Sequence, residues 1–340
     1  SDIHFKVGAP PAYRVDGALR NLKSEPLKPP DTEALCRLLL DDASPERLAD
    51  LREHDTSYSL PGVSRFRVNI FRQRGSLAAI LRIIPSEIPT VTSLNLPPAV
   101  SKFADFERGL ALVTGATGSG KSSTLAALIN RINERRPVHI ITIEDPIEFL
   151  HANKVASVSQ RELGIDTATY KGALRAALRQ DPDVILVGEM RDAETVDIAL
   201  KAAETGHMVY STIHTTDAAK TIGRLVALFP PDEQVAARRR LADNLRGTIG
   251  QRLLPRKDGK GRSVACELMI VTSTVQELIK DSARTAELKD VIEKGRDQYG
   301  MQSFDQHLIE LVRGGHISIE TAKAAASSAS DLERTLSFME

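Results

Sequence analysis

The run Gly115-Ala116-Thr117-Gly118-Ser119-Gly120-Lys121-Ser122 fits G-x-x-x-x-G-K-[ST], and it lies between an apolar run ending at Thr114 and a helical pattern over residues 123–133. Glycines at this spacing let the backbone curl so that successive N–H groups and a helix N-terminus face phosphate. Thr117, Gly118, Ser119, Gly120 and Ser123 supply such a cradle, Lys121 reaches the β and γ oxygens of ATP, and Ser122 can ligate a Mg²⁺ carried by the nucleotide.

Three further apolar runs bring side chains to the same chemistry. Residues 183–187 lead into Gly188-Glu189, a Walker-B arrangement with Gly188 in place of the commoner Asp. Glu189 is expected to orient or deprotonate the attacking water. Residues 140–143 end in Glu144-Asp145-Pro146-Ile147-Glu148, whose crowded carboxylates suit a metal-nucleotide or, alternatively, a solvated acidic turn. Residues 208–213 are bracketed by His207 and His214. His214, at the C-terminal end, is placed to sense the γ-phosphate, whereas His207 precedes the strand and would pack or cap. Residues 64–86 carry Arg65, Arg67, Arg72, Arg74 and Arg82 and no acid. Opposite a nucleotide, Arg67 and Arg82 would act as arginine fingers; on an isolated domain they form a solvated basic face. Arg238-Arg239-Arg240 reads as a solvated helix face.

Before residue 97 the pattern predicts strands over 3–7, 12–20, 56–60, 65–71 and 77–84, with a hairpin across Gly75. Helices are expected from Asp31 and from Ser44, the latter with Ser44 as N-cap and Pro45 at the first position. Pro85, Pro89, Pro97 and Pro98 mark a linker, giving domains 1–97 and 98–340. Beyond it, continuous apolar strands over 110–114, 139–143, 184–187 and 208–213 alternate with helices, the pattern of a parallel sheet covered on both faces. After about residue 265 only helical patterns are expected, and no repeat is found.

At 340 residues, 41% apolar and 26% charged, the chain has the composition of a folded protein rather than a disordered or disulfide-stapled one. Basic and acidic residues balance at 45 each, so no global field favours nucleic acid. Residues 1–97 hold 13 basic and 12 acidic groups, and five of those 13 sit in the acid-free hairpin. Cys36 and Cys266 have no metal-site spacing, and a reducing compartment is expected. No 18-residue apolar stretch occurs, and the N-terminus has neither signal-peptide pattern nor initiator Met, as if it begins within an ordered core.

The run Leu178-Arg179-Gln180-Asp181-Pro182-Asp183-Val184-Ile185-Leu186-Val187-Gly188-Glu189-Met190-Arg191-Asp192 resembles the signature of the secretion and pilus motor ATPases, a RecA-like superfamily. Residues 141–149 are similar to its Asp box, and Thr205-Gly206-His207 with Ser211-Thr212-Ile213-His214-Thr215-Thr216 to its His box. A short N-terminal part, no paired C-x-x-C insertion and Gly300-Met301-Gln302-Ser303-Phe304-Asp305-Gln306 resemble the retraction branch of type IV pilus motors. One departure is Thr274 to Asp281, where that branch has Ala-Ile-Arg-Asn-Leu-Ile-Arg-Glu.

The resemblance implies an α/β chain with a PAS-like α+β N-terminal domain, a RecA-like P-loop ATPase domain and a helical C-terminal extension. It also implies a cytoplasmic homohexamer at the inner-membrane pilus base, working on a platform protein, with an accessory retraction ATPase as a further partner and Mg-ATP as fuel. Glu189 corresponds to the catalytic Glu, Glu148 to the Asp-box Glu, and Arg67 and Arg82 to arginines approaching the nucleotide. His207 joins the nucleotide-binding set through the His box. Pilus-extension, accessory retraction or type II/IV secretion motors of the same superfamily are the alternatives, with a non-hydrolysing regulatory ring as one of another class.

Overall fold

Phe66, Val68 and Ile70 alternate with Arg67 and Asn69, so a strand there buries one face and leaves the other polar. A computed structural model describes the chain except residues 1, 16, 17, 41–44, 62, 86 and 338–340. It divides into two compact units, residues 1–87 with 146–150, and residues 88–145 with 151–340.

The first unit contains β1 (Asp2–Phe5), β2 (Ala12–Val15), β3 (Ala18–Asn21), α1 (Pro29–Leu39), α2 (Pro45–Asp50), β4 (Glu53–Leu60), β5 (Ser64–Gln73) and β6 (Ser76–Ile84). Its strands form an antiparallel sheet in the order β3-β2-β1-β6-β5-β4. The inward residues of β5 pack with Leu77, Ala79 and Leu81 of β6 and with Cys36 and Leu39 of α1. The expected hairpin turns through Arg74 (φ 49°) and Gly75 (φ 80°), two left-handed residues that match the twist of the paired strands. The single strand expected over 12–20 is instead the hairpin β2–β3, with Val15 opposite Ala18. The N-cap expected at Ser44 lies outside the described residues.

In the second unit a 3₁₀ helix (Pro98–Asp105) leads into β7 (Gly109–Thr114), α3 (Lys121–Arg135), β8 (His139–Glu144), β9 (Ser157–Glu162), α4 (Tyr170–Ala177), β10 (Val184–Val187), α5 (Ala193–Glu204) and β11 (Met208–Ile213). Then come α6 (Ala218–Val226), α7 (Gln234–Asn244), β12 (Leu245–Pro255), β13 (Arg262–Ile270), α8 (Ser273–Lys280), α9 (Leu288–Lys294), α10 (Arg296–Tyr299), α11 (Phe304–Arg313), α12 (Ile319–Ala325) and α13 (Ala329–Ser337). The sheet order is β13-β12-β7-β11-β10-β8-β9, parallel except for the β12–β13 pair. One core packs helices α4 to α9 against one face, and another packs α3 and the 3₁₀ helix against the other. Continuous apolar runs on β7, β10 and β11 are therefore buried along their whole length.

The expectation of helices alone after residue 265 is overturned, because β13 continues to Ile270 and pairs with β12. These strands carry Arg246, Gln251, Arg252 and Glu267 among apolar residues, which blurs their period. Strand β9, Ser-Val-Ser-Gln-Arg-Glu, was missed for the same reason. Helix α8 keeps the apolar pattern of the departing segment, burying Val275, Leu278 and Ile279. Among the described residues no helix is long and apolar enough to cross a membrane.

Tyr210, in the middle of β11, is fully buried and its hydroxyl donates to the Phe103 carbonyl at 2.6 Å. Tyr210→Phe strands that carbonyl in the core and is expected to cost about 1–3 kcal/mol, read as a lower urea midpoint at unchanged slope. An unchanged midpoint would show that the bond carries no net stability.

Candidate functional site

Parallel register sets where the strand ends fall. Thr114 of β7 lies opposite Ile213 of β11, and Val187 of β10 lies opposite both Ser211 of β11 and Ile143 of β8. The residues that follow, the phosphate loop, His214, Gly188-Glu189 and Glu144, consequently emerge along one edge of the sheet. Ligands in open α/β sheets bind at this carboxyl edge.

The loop bends through Gly115 (φ 146°), where a Cβ would fall 2.5 Å from both the Gln251 carbonyl and the Ser119 hydroxyl. No side chain caps the start of α3, whose N-cap is Gly120, so its first amides remain available to an anion. Among the described residues, the buried Ser119 and Thr114 hydroxyls have no hydrogen-bond partner. Such a cradle, glycine-lined and rich in free donors, fits a polyphosphate. Lys121 is buried at its mouth, with Nζ donating to the carbonyls of Gly115 and Ala116, each at 2.9 Å.

His214 links that lysine to the candidate base. Its Nδ1 lies 3.5 Å from Lys121 Nζ, and its Nε2 lies 3.3 Å from Glu189 Oε1. An ammonium can only donate, so Nδ1 accepts and Nε2–H faces the carboxylate. The other Glu189 oxygen takes a 2.7 Å ion pair from Arg191. Burial pushes the Glu189 carboxyl up, but the bond and charge of Arg191 and the nearby His214 outweigh it and hold the pKa below the usual carboxylate value. Glu189 is thus an ionised carboxylate at neutral pH, fixed from two sides and suited to orient a water.

Gly188 stands where a carboxylate is commoner, and the structure supplies a reason. A Cβ there would lie 2.8 Å from the Tyr170 hydroxyl and 3.2 Å from the Ile143 carbonyl. Burial, with Asp145, Glu189 and Glu144 nearby, raises the pKa of the Tyr170 phenol and keeps it protonated. The Gly188 carbonyl accepts from Thr212 Oγ1 at 2.6 Å, which ties β10 to β11 just before Glu189. Glu144 is held by Thr142 Oγ1 at 2.6 Å and Gln160 Nε2 at 3.1 Å.

Other expected residues fall elsewhere. His207 lies at the opposite end of β11, beside Gly109, and its Nδ1 faces the Ala202 carbonyl at 2.9 Å and Thr205 Oγ1 at 3.1 Å. Within one chain it closes the end of α5, at the end of β11 away from the phosphate loop. Glu148 is exposed and falls in the segment 146–150 that groups with the first unit. In the hairpin, Arg65 bonds Ser57 and Ser59, and Arg72 bonds the carbonyls of Leu48, Leu51 and Gly75. Arg67 and Arg82 face one another across β5 and β6, both exposed, with Arg82 also paired to Asp2 at 2.8 Å. Arg240 pairs with Asp197 and Glu204, and Arg238 bonds the Ile279 carbonyl, so neither is a free solvated charge as expected.

Sequence reasoning passed over Tyr170, Arg191 and Glu267. Arg191 stands two residues after Glu189, a spacing that would have found it, whereas Tyr170 is placed only by tertiary packing. Glu267 is buried, accepts from Ala218 N–H at 2.7 Å at the start of α6, and burial raises its pKa to about 7.

A model of the family described as type II/IV secretion system protein matches residues 1–324. The chain is 45% identical over 326 residues to the type IV pilus retractation ATPase PilT of Pseudomonas aeruginosa, covering 96% of this chain and 94% of that protein. It is 44% identical over 322 residues to a twitching motility protein of Neisseria gonorrhoeae, covering 95% and 86%. The crystal structure of the pilus retraction motor PilT with bound ADP superposes with a TM-score of 0.88 at 47% identity, covering 98% of this chain and 95% of that one.

Glu189→Gln removes the basic oxygen while leaving the phosphate loop intact. It is expected to keep nucleotide affinity and lower steady-state phosphate release by about 10²-fold or more. Unchanged release would remove Glu189 from the reaction.

Proposed function

The chain belongs to the type II/IV secretion system protein family, and from that premise we propose that it is an ATP-hydrolysing motor that powers retraction of type IV pili and twitching motility. The observation that carries this reading is the line from Lys121 through His214 to Glu189 at the carboxyl edge of the sheet. It joins the cation that would meet the β and γ phosphates to the carboxylate that would act on water. A module that only bound nucleotide would have no need of an ionised, doubly anchored carboxylate there.

In this reading the amides of residues 117–120 and Ser123 hold the phosphates, and Lys121 exchanges its loop carbonyls for phosphate oxygens. Ser122 would hold Mg²⁺, which when bound neutralises charge on the β and γ oxygens. Glu189 orients or deprotonates the water, and His214 senses the γ-phosphate from between them. Glu148 approaches from the 146–150 segment, and Arg67 and Arg82 act as arginine fingers on the transferring phosphoryl group. Two guanidiniums set opposite one another repel, and an anion between them relieves that repulsion. His207 remains a candidate nucleotide contact only for an arrangement in which it meets a neighbouring copy.

The domains are residues 1–97, PAS-like with its linker, and 98–340, RecA-like with its helical extension. Six copies would form the working ring, cytoplasmic and peripheral to the inner membrane at the pilus base. Rotation about the Pro-rich linker on binding and hydrolysis would pass force to an inner-membrane platform protein. The match to proteins named for retraction and twitching supports this direction over extension.

Arg67→Ala is expected to impair hydrolysis in assembled rings, and mixing it with Lys121→Ala protein to restore part of the activity if the arginine acts across a subunit boundary. Verified mixed rings without any rescue would rule out action in trans. Deleting the gene in its host is expected to leave surface pili in place and abolish twitching on agar; loss of the pili would make this an extension motor.

A further inference from the structure

Strand β13 is the end strand of its sheet, and Cys266 turns its N–H and C=O toward the free side. Two side chains take them: Cys266 N–H donates to His307 Nδ1 at 2.9 Å, and Gln302 Nε2 donates to the Cys266 carbonyl at 3.2 Å. Both are nearly buried, at 6% exposure each, and Ser263 beside them is at 5%. All three line a cavity of about 680 Å³ between residues 91–101 and the segment 296–316.

Those bonds fix what each side chain has left to offer. Since His307 Nδ1 accepts, Nε2 carries the proton and donates. Burial, then Arg296 and His316, lowers the His307 pKa to about 4, so the ring stays uncharged at neutral pH. Gln302 donates through Nε2, leaving Oε1 as an acceptor. Among the described residues, His307 Nε2, Gln302 Oε1 and Ser263 Oγ have no protein partner, and none is sealed from the cavity. A donor and an acceptor anchored on one residue match an acceptor and a donor side by side on a ligand. Leu96, Pro97, Met301 and Leu311 give the same cavity apolar walls. Its charged lining is two carboxylates, Asp297 and Glu310, against the one guanidinium of Arg296, which is paired to Glu310.

We propose that this cavity is a second ligand site, separate from the phosphate loop, for an uncharged heteroaromatic molecule of the nucleoside class. His307 Nε2–H and Gln302 Oε1 read the base edge, Ser263 adds a third bond, and the excess of carboxylate disfavours a phosphorylated ligand. The volume lies within the range of small-molecule sites. Because residues 91–101 form one wall, an occupant would tie the segment that follows β6 to the C-terminal helices.

Isothermal titration of the whole protein with adenosine, guanosine, cytidine and uridine tests this, each in saturating Mg-ADP so that the phosphate-loop site is filled. One nucleoside is expected to bind, with its 5′-monophosphate at least about tenfold weaker. Ser101→Trp, which fills the cavity from the 3₁₀ helix without touching the Cys266 anchors, is expected to abolish the binding, and His307→Phe to weaken it about tenfold. Absence of binding by all four nucleosides, binding untouched by Ser101→Trp, or a monophosphate that binds as tightly overturns the proposal. Should His307→Phe fail to fold, the Ser101→Trp comparison decides.

Discussion

Everything chemical in this chain rests on the register of four parallel strands. Strands β7, β11, β10 and β8 are paired so that their C-terminal residues line up to within two positions, and each delivers a different group to the same edge. A one-residue slip in any pair would turn the delivered side chain to the opposite face. These strands are buried along their length, so the in-out pattern alone does not choose a register, and polar contacts within the layer help to hold it. Thr212, one of the few hydroxyls in the layer, is spent on the Gly188 carbonyl and locks the two strands that carry His214 and Glu189.

Electrostatics then follows from geometry. Lys121 would be costly to bury alone, and its loop carbonyls offset the loss of water. Glu189 is desolvated too, yet Arg191 and His214 keep it ionised. Each charge waits on a neighbour that an incoming polyphosphate can replace or reinforce. The exposed Arg67 and Arg82 face one another across β5 and β6, and the Asp2 carboxylate offsets part of their repulsion by pairing with Arg82.

How much of this was legible in the sequence depended on how locally each feature is encoded. The phosphate loop, Glu189, His214 and the strands before them are read from runs of six to eight residues, because full burial writes itself as an uninterrupted apolar string. Strands β9, β12 and β13 were not legible, being edge or mixed strands in which polar residues such as Gln251 and Glu267 do specific bonding inside the fold. The reading of Arg238 and Arg240 as solvated failed for a related reason: their partners, Ile279, Asp197 and Glu204, lie 36 to 43 residues away. Gly188 looked like a defect in a motif until Tyr170, 18 residues earlier, explained it as a need for space. The motif 300–306 was recognised by resemblance alone; its physical content is Gln302 pinned to β13, a capping box from Ser303 to Gln306, and Phe304 beneath the Arg252 guanidinium.

The order of strands also dictates a history for every copy of the protein. Strand β7, which ends in the phosphate loop, lies between β11 and β12, so its two partners are encoded 94 or more residues downstream. As the chain leaves the ribosome, the sheet of the first unit can close once β6 has emerged, whereas β7 has no partner until β11 follows at residues 208–213, and its second edge waits for β12 from residue 245. The sheet around the phosphate loop is therefore completed only once residues 245–250 have been made. Until then the strand that carries the phosphate loop lacks one of the two neighbours that hold it in the finished sheet.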